Sequence, residues 1–269
     1  MNGPLNRRYG ITPRTYASLL NTLYRNLKHT KGGRPFNLQV RVMLEMFLRY
    51  IYYNDTFIRL GEDFGISPCC ARNIVLRIMS ALMKSRLYRV PTADNLKSGN
   101  LYIVDTMPVR IRRPKSHKRQ KQSYNGKYKY HIVKVQLIVI DGSVVPQAVN
   151  VTQCGTVSDI ELFRKTISSR YADEELMFIG DKGYQGMQEL YKDSLTPIKK
   201  PKGGVLSDSE KSFNRCLSAV RIKIEHANSF VKRFKLVGGI YRGDVSRVNA
   251  WVRLIFGICR YDLTHAEPA

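Results

Sequence analysis

Short apolar runs follow one another after residue 100, and they constrain the fold more than any other feature of the sequence. The runs are LYIVD (101–105), HIVKVQLIVI (131–140), VVPQAVNV (144–151) and LMFIG (176–180). LYIVD is short enough for a central strand, and HIVKVQLIVI alternates in part, with Val133, Val135, Leu137 and Val139 on one side. Asp141-Gly142, between the second run and the third, favours a two-residue hairpin turn. The second part of the chain is therefore predicted to contain a sheet.

Helices are predicted to accompany these strands. Ser158 and Glu161 fit a capping box for a helix that extends to about Arg170. A strongly periodic helix is predicted over 215–235, with one apolar stripe formed by Leu217, Val220, Ile224, Ala227, Val231 and Phe234. A neighbouring polar stripe consists of Arg221, Glu225, Asn228 and Lys232. Taken alone, that stripe is typical of an ordinary helix surface. The order of elements indicates an α/β class.

The first hundred residues are predicted to be helical. Thr12-Pro13 begins one helix, and a second extends to about Tyr53. Residues 56–84 combine a short helix, a Gly-Ile-Ser turn and a longer helix that starts at Ser67-Pro68. This outline is that of a helix-turn-helix, although any helical hairpin can show it. The polar stretch 91–100 separates a helical region, 1–95, from a second domain, 100–269.

Positive charge is spread over the whole chain. The sequence has 45 Lys and Arg against 21 Asp and Glu, which gives a net charge of +24. So large an excess favours a polyanionic partner, most often nucleic acid, over charge carried for solubility alone. Residues 110–129 contain nine Lys or Arg and no acid, and they are predicted to be a loop that orders on DNA.

Cysteine usage indicates a reducing compartment, and hydropathy indicates a protein without a membrane-spanning segment. The five cysteines form no CxxC pair, which fits free thiols better than a disulfide framework or a zinc site. The sequence has no apolar N-terminal stretch like a signal peptide and no apolar run of membrane-spanning length. We expect a soluble, cytoplasmic protein with no membrane partner.

Two carboxylates lie where strands are predicted to end. Asp105 closes the run LYIVD, and Asp181 follows the run LMFIG in the loop GDKGYQG. Open α/β sheets present ligand sites at that edge. A single Asp in such a place is more often a turn or N-cap residue, and the two therefore gain significance only together with a third group.

These residues resemble a known family. Asp105 in IVDTMP, Asp181 in IGDKGYQG and Glu225 in RIKIEHANSFVK resemble the DDE motif of IS5-group insertion-sequence transposases, which are related to PIF/Harbinger transposases. A signature of the wider group places Tyr, Arg, Glu and Lys at fixed spacing on one helix. Arg221, Glu225 and Lys232 match it, while Ser218 stands at the Tyr position.

The resemblance implies a fold, a chemistry and a set of partners. The fold is an RNase H-like catalytic domain, a mixed sheet flanked by helices, preceded by an all-α helix-turn-helix region. Asp105, Asp181 and Glu225 would be catalytic and would hold two Mg²⁺ ions, for which Mn²⁺ can substitute. The enzyme would cut double-stranded DNA at transposon ends and join the 3′-OH ends to target DNA. It would act as a homodimer or higher oligomer on DNA, in a bacterial nucleoid.

Basic residues are the candidates for contacts with DNA. They are Arg72, Arg77, Arg110, Arg112, Arg113, Lys115, Lys118, Arg119, Lys182, Arg221 and Lys232. Asp159 and His131, at the starts of a helix and a strand, are interpreted as structural. Two alternatives stay open at this point: a metal-dependent nuclease without strand transfer, and a DNA-binding protein in which the carboxylates have no catalytic role.

Overall fold

A computed structural model describes residues 8–27, 38–93, 96–168 and 175–265. Its helices are α1 (Pro13–Asn26), α2 (Val40–Tyr53), α3 (Phe57–Asp63), α4 (Pro68–Met83), α5 (His117–Ser123), α6 (Asp159–Phe163), α7 (Asp208–Lys232), α8 (Lys235–Gly238) and α9 (Val248–Thr264). Its strands are β1 (Leu101–Ile111), β2 (Tyr124–Asn125), β3 (Tyr130–Ile140), β4 (Pro146–Thr152), β5 (Met177–Ile179) and β6 (Ile240–Tyr241).

The chain forms two compact units. Residues 1–90 and 231–269 form the first, here called the helical unit, and residues 91–230 form the second, the sheet unit. The sequence interpretation also separated the chain near residues 91–100, but it grouped everything after residue 100 together. In the structure, the last segment of the chain instead belongs with the N-terminal helices.

The helices of the first unit begin where the sequence predicted. Thr12 accepts a hydrogen bond from the Thr15 amide at the start of α1, and Ser67 accepts one from the Cys70 amide at the start of α4. The axes of α3 and α4 differ by 102°, which is within the range of helix-turn-helix pairs. Gly65, in the turn between them, has a φ of 65°, a conformation that glycine adopts without strain.

A buried carboxylate explains why the C-terminal helix belongs to the helical unit. Asp262 of α9 is only 4% exposed. One of its oxygens accepts hydrogen bonds from the Thr12 amide at 2.9 Å, the Thr12 hydroxyl at 2.8 Å and the Thr15 hydroxyl at 2.5 Å. The other oxygen accepts one from the Arg233 guanidinium at 3.2 Å. These bonds connect α9 to the first turn of α1, a pairing that sequence periodicity does not reveal.

We expect Asp262→Ala to destabilise the helical unit by roughly 2–4 kcal/mol, because the donors that it satisfies would be left without an acceptor. The lone tryptophan, Trp251, lies in the same helix and is buried. Urea unfolding followed by its fluorescence therefore reports this unit. Glu62→Ala removes an exposed carboxylate of α3 and should change the midpoint very little. Equal midpoints for the two variants would contradict this role of Asp262.

The sheet unit has a mixed sheet. β1 pairs with β3 in antiparallel register from Tyr102 opposite Ile140 to Arg110 opposite Ile132, and it pairs with β5 in parallel. β4 and β2 pair with β3. Leu195 adds a parallel bridge beyond β5, at Ile179. β1 therefore lies between β3 and β5.

Helices α6 and α7 lie against this sheet. Phe163 and Ile167 pack into a buried cluster with Tyr102 and Val104 of β1. The side chain of Asp105 points to the opposite face, because successive residues of a strand alternate. There it meets Asn228 of α7. The predicted capping box is present at the start of α6, where Ser158 accepts a hydrogen bond from the Glu161 amide.

Several details of the sheet unit differ from the prediction. β1 continues to Ile111, so Asp105 lies within the strand rather than at its end. Pro108 is tolerated there because the pairing with β5 stops at Ile103. Residues 141–145 connect β3 to β4, a longer turn than the two residues expected. A hydrogen bond from the Val145 amide to the Ser143 hydroxyl stabilises this turn.

The basic segment 110–129 is also more ordered than predicted. It contains α5, whose Gln120 amide group donates to the Pro114 carbonyl oxygen at 2.8 Å. The prediction was wrong because these polar contacts within the segment replace the apolar core that it lacks. Among the described residues, no single helix is long and apolar enough to span a bilayer; α3 and α4 meet the length and composition criteria only as a bent pair.

Candidate active site

Asp105 and Asp181 come from neighbouring strands. Asp105 is on β1, and Asp181 follows β5, the strand parallel to it. Asp181 also caps the short helical turn 182–184, because its Oδ1 accepts a hydrogen bond from the Gly183 amide at 2.8 Å. Asp181 is thus an N-cap residue, which is the structural role that an isolated Asp most often has. This capping bond involves only one of its two carboxylate oxygens.

Burial raises the pKa of Asp105 from 3.8 to about 6. The Arg221 guanidinium opposes this shift because it favours the charged carboxylate. The negative charges of Asp181 and Asp159 add to it. Several carboxylates therefore lie within electrostatic range of one another at a partly buried place, and a cation between them would relieve their repulsion.

Asn228 is the contact of Asp105 on α7. Its Nδ2 donates a hydrogen bond to Asp105 Oδ2 at 2.9 Å, and the residue is only 4% exposed. Its Oδ1 is buried and has no hydrogen-bond partner among the described residues. A buried carbonyl oxygen without a donor is costly, and an oxygen of this kind is also a ligand type for hard cations. The sequence placed Asn228 in the polar stripe but gave it no role.

A further carboxylate, Asp159 of α6, lies beside Thr106 and Gly183. Asp159 Oδ1 accepts hydrogen bonds from the Thr106 hydroxyl at 2.7 Å and from the Lys134 ammonium at 2.9 Å. Sequence reasoning interpreted Asp159 only as a helix-start residue. Its one sequence signal was the acid at a helix N-terminus, which does not distinguish a site from a cap. Lys134 is a cation within a largely apolar strand, and that is the clearest signal that was missed.

Gly183 lies between two of these carboxylates. A Cβ atom at this position would come within 2.7 Å of Asp159 Oδ2 and 3.0 Å of Asp181 Oδ1. A side chain here would therefore displace the carboxylates. This close approach explains the glycine at this position of the loop GDKGYQG.

Glu225 is not brought to the two aspartates. It is exposed on α7, one turn before Asn228, and it forms no hydrogen bond or ion pair with the described residues. Across the described ranges, no group of three or more His, Cys, Asp or Glu side chains is arranged to hold an ion. The charges of Asp181 and Asp159 thus act on the pKa of Asp105, whereas Glu225 has no such contact with the described residues.

The donor set nevertheless fits a divalent cation of the hard type. Asp105 and Asp181 supply carboxylate oxygens, and Asn228 Oδ1 is buried without a donor in the part of the chain that the structure describes. Oxygen ligands of this kind, completed by water and phosphate oxygens, are what Mg²⁺ prefers. The crowding of negative charge around Asp105 favours such an ion further.

Most of the basic candidates for DNA contact are exposed. Exposed side chains on α4 are Arg72 and Arg77, and those on the basic segment are Arg110, Arg112, Arg113, Lys115, Lys118 and Arg119. Lys182 follows Asp181 and is exposed, as is Lys232 at the end of α7. Arg221 is half-buried, and its Nε has no hydrogen-bond partner among the described residues.

Comparison with known proteins places the chain among DNA-processing enzymes. Residues 104–260 match the family model described as DDE superfamily endonuclease. The chain is 33% identical over 267 residues to the probable transposase for insertion sequence element IS702 of Microchaete diplosiphon, covering 96% of this chain and 93% of that protein. The chain also aligns with a solved structure, that of the piggyBac transposase synaptic complex with hairpin DNA. This alignment covers 95% of this chain and 72% of the piggyBac chain, at 11% sequence identity and with a TM-score of 0.43.

Proposed function

Because the chain belongs to the DDE superfamily endonucleases and is a DNA transposase with an RNase H-like fold, we propose that Asp105, Asp181 and Glu225 form its catalytic triad. The family match spans all three residues. Endonuclease domains of this family generally use divalent metals, and we propose two Mg²⁺ ions. The observation that carries the proposal is the position of Asp105 on the strand paired with β5, which Asp181 follows, beside the buried Asn228 Oδ1 that has no hydrogen-bond partner among the described residues.

We assign metal binding to the carboxylates and phosphate binding to the neighbouring basic residues. Asp105 and Asp181 would hold the metal, and Glu225, which lies on a helix that contacts Asp105 through Asn228, would complete the site when DNA is bound. The bound ions would supply an activated water and would stabilise the leaving oxygen of the phosphodiester. Arg221 and Lys182 would orient the phosphate, because each presents a cation beside one of the aspartates.

Recognition of the element ends is assigned to the helical unit. The turn of α3 and α4 resembles that of a helix-turn-helix, and Arg72 and Arg77 lie exposed on α4, the second helix. We propose that α4 enters the major groove of the terminal inverted repeats. The two ends of an element must be cut and joined together, and we therefore propose a dimer or higher oligomer on DNA, in the cytoplasm of a bacterium.

The test uses purified protein, Mg²⁺ and a plasmid that carries the DNA flanking the gene. The control is Asp181→Asn, which keeps the shape of the side chain and removes the charge. We expect cleavage at the flanking repeats and joined products, both absent with the variant. Cleavage without joining would favour a nuclease, and DNA binding without cleavage in Mg²⁺ or Mn²⁺ would favour a DNA-binding protein.

We expect Asn228→Ala to weaken Mn²⁺ binding by about 10- to 100-fold, as is usual when the partner of a metal ligand is removed. Asp105 would lose the amide that fixes one of its oxygens. Calorimetric titration with Mn²⁺ measures this without any turnover. His226→Ala, an exposed neighbour on the same helix, is the matched control. Unchanged Mn²⁺ affinity in Asn228→Ala would mean that the contact does not support the site.

A further inference from the structure

A cleft of about 590 Å³ opens in the sheet unit beside the basic segment. Its volume is within the range of about 300–1,000 Å³ that is typical of small-molecule sites. Its lining is basic and aromatic, and among the described residues that line it none is acidic. These residues are Arg113, His117, Gln120, Lys121, Tyr124, His131 and Thr156.

The Arg113 guanidinium of this cleft is oriented by hydrogen bonds and can bind an anion. Arg113 donates from Nε and from one terminal nitrogen to Gln120 Oε1, at 3.2 and 3.0 Å. The Gln120 amide group is itself fixed on the Pro114 carbonyl oxygen. A guanidinium has five N–H donors, and those of Arg113 that do not bond Gln120 have no other partner among the described residues. Lys121 adds a second positive charge to the same lining.

The rings of the cleft are also fixed. Tyr124 is 43% exposed, and its ring meets the His131 ring edge-on with centroids 5.5 Å apart. The Ser123 hydroxyl donates its single hydrogen to the Arg119 carbonyl oxygen at 2.7 Å. Ser123 Oγ must therefore accept at its 3.0 Å contact with His131 Nδ1. That contact places a proton on Nδ1 and leaves Nε2 outside this bond.

A planar aromatic group that carries a negative charge fits this lining. The exposed ring of Tyr124 offers a stacking surface, His131 Nε2 accepts from an exocyclic amino group when the ring is neutral, and Arg113 with Lys121 binds a phosphate. Base stacking on aromatic side chains beside a basic groove is how proteins hold unpaired nucleotides. A duplex presents its bases already stacked, and a cleft of this volume has room for a single nucleotide rather than for paired strands.

We propose that this cleft binds one unpaired nucleotide of a DNA strand, with its base on Tyr124 and its phosphate on Arg113. The proposal rests on the DNA transposase function and adds to it a site separate from the carboxylates. Cuts at staggered positions in the two strands leave unpaired bases at the DNA end, and a site of this chemistry would hold such an end.

The test measures binding in EDTA, where no cleavage occurs. Two duplexes of identical sequence are compared, one blunt and one with a 3′ overhang of a single 2-aminopurine nucleotide. We expect the overhang duplex to bind at least about fivefold more tightly, because one stacked base is gained. The fluorescence of the overhanging base should be quenched at the same time.

Three variants locate the effect. Tyr124→Ala should abolish both the preference and the quenching, Tyr124→Phe should retain them, and Tyr24→Ala, which removes an exposed ring from α1 in the helical unit, should behave like wild type. Equal affinity of wild type for the two duplexes would overturn the proposal. Equal loss for both duplexes in Tyr124→Ala would overturn it too, because only a backbone contact would then be present.

Two further measurements are needed. One distinguishes a free mononucleotide from a nucleotide of a DNA strand, and the other distinguishes failure of the cleft proposal from failure of the proposed transposase function. Competition by free dAMP as effective as that by the overhang DNA would indicate a site for mononucleotides and would overturn the assignment to a strand. The blunt duplex reports DNA binding itself. If wild type failed to bind it, the function proposed above would be in question, whereas equal binding of both duplexes counts only against the cleft.

Discussion

Asp105→Asn is expected to abolish metal-dependent DNA cleavage and, in the same protein without metal, to increase the stability of the sheet unit at pH 8. The loss of cleavage should be at least about 10³-fold, because a metal ligand that stabilises transition-state charge contributes several kcal/mol. The gain in stability follows from the cost of keeping this carboxylate charged where it is partly buried among other carboxylates.

The direction of the pH dependence follows from the raised pKa. Asp105 titrates at 3.8 when unfolded and at about 6 when folded, so between these values the native state binds more protons and its stability falls as the pH rises. The contribution is fully present below pH 3.8 and is lost as the pH passes 6. A shift of about two pH units corresponds to about 3 kcal/mol, of which we expect 1–3 kcal/mol to be recovered in Asp105→Asn at pH 8.

Hydrogen exchange of the amides that pair β1 with β3 measures this stability locally, without the complication of a second unit. The difference between wild type and Asp105→Asn should be clear at pH 8 and much smaller at pH 5, and saturating Mn²⁺ should stabilise only wild type. Asp193→Asn removes an exposed carboxylate of the same unit and should leave exchange unchanged. A variant that is less stable than wild type at pH 8 would contradict the electrostatic account.

The sequence predicted most elements of the fold because each depends on local signals. The cap at Ser67 and the glycine at position 65 determine where α3 ends and α4 begins. The apolar runs identified β1, β3, β4 and β5. The parallel pairing of β1 and β5 places Asp105 on one strand and Asp181 directly after its neighbour.

The remainder depends on contacts between residues distant in sequence, which periodicity cannot reveal. Asp262 binds Thr12 across 250 positions, and this network assigns α9 to the helical unit. Asn228 donates to Asp105 across 123 positions. The role of each of these two polar helix residues follows only from its hydrogen-bond partner in the structure.

The basic residues and the carboxylates of the site lie in different parts of this molecule. The excess of Lys and Arg lies on exposed surfaces of both units, where it would attract the DNA backbone at long range. The carboxylates are gathered on β1 and beside β5, where burial and mutual repulsion create the demand for a cation. A negative site in a protein of charge +24 is therefore no contradiction, because the two charge types act on different parts of the same substrate complex.

The third ligand is the point on which resemblance and geometry differ. The family pattern assigns Glu225, which is exposed and unpaired among the described residues. The structure brings Asp159 closer, but its Oδ1 already accepts from Lys134 and Thr106. A carboxylate neutralised by an ammonium is a poorer metal ligand than one without a partner, so we propose that Glu225 is the ligand and that Asp159 supports the sheet.

Glu225→Gln is therefore expected to lower metal-dependent cleavage by at least about 10²-fold without changing stability, since the side chain has no described partner to lose. Asp159→Asn should instead destabilise the sheet unit by roughly 1–3 kcal/mol, because the buried ammonium of Lys134 would lose its counterion. Cleavage assays and exchange of the β3 amides, with both variants measured side by side, separate these roles. If Asp159→Asn abolished Mn²⁺ binding while Glu225→Gln retained it, the third ligand would be Asp159, and the resemblance would have assigned the wrong carboxylate.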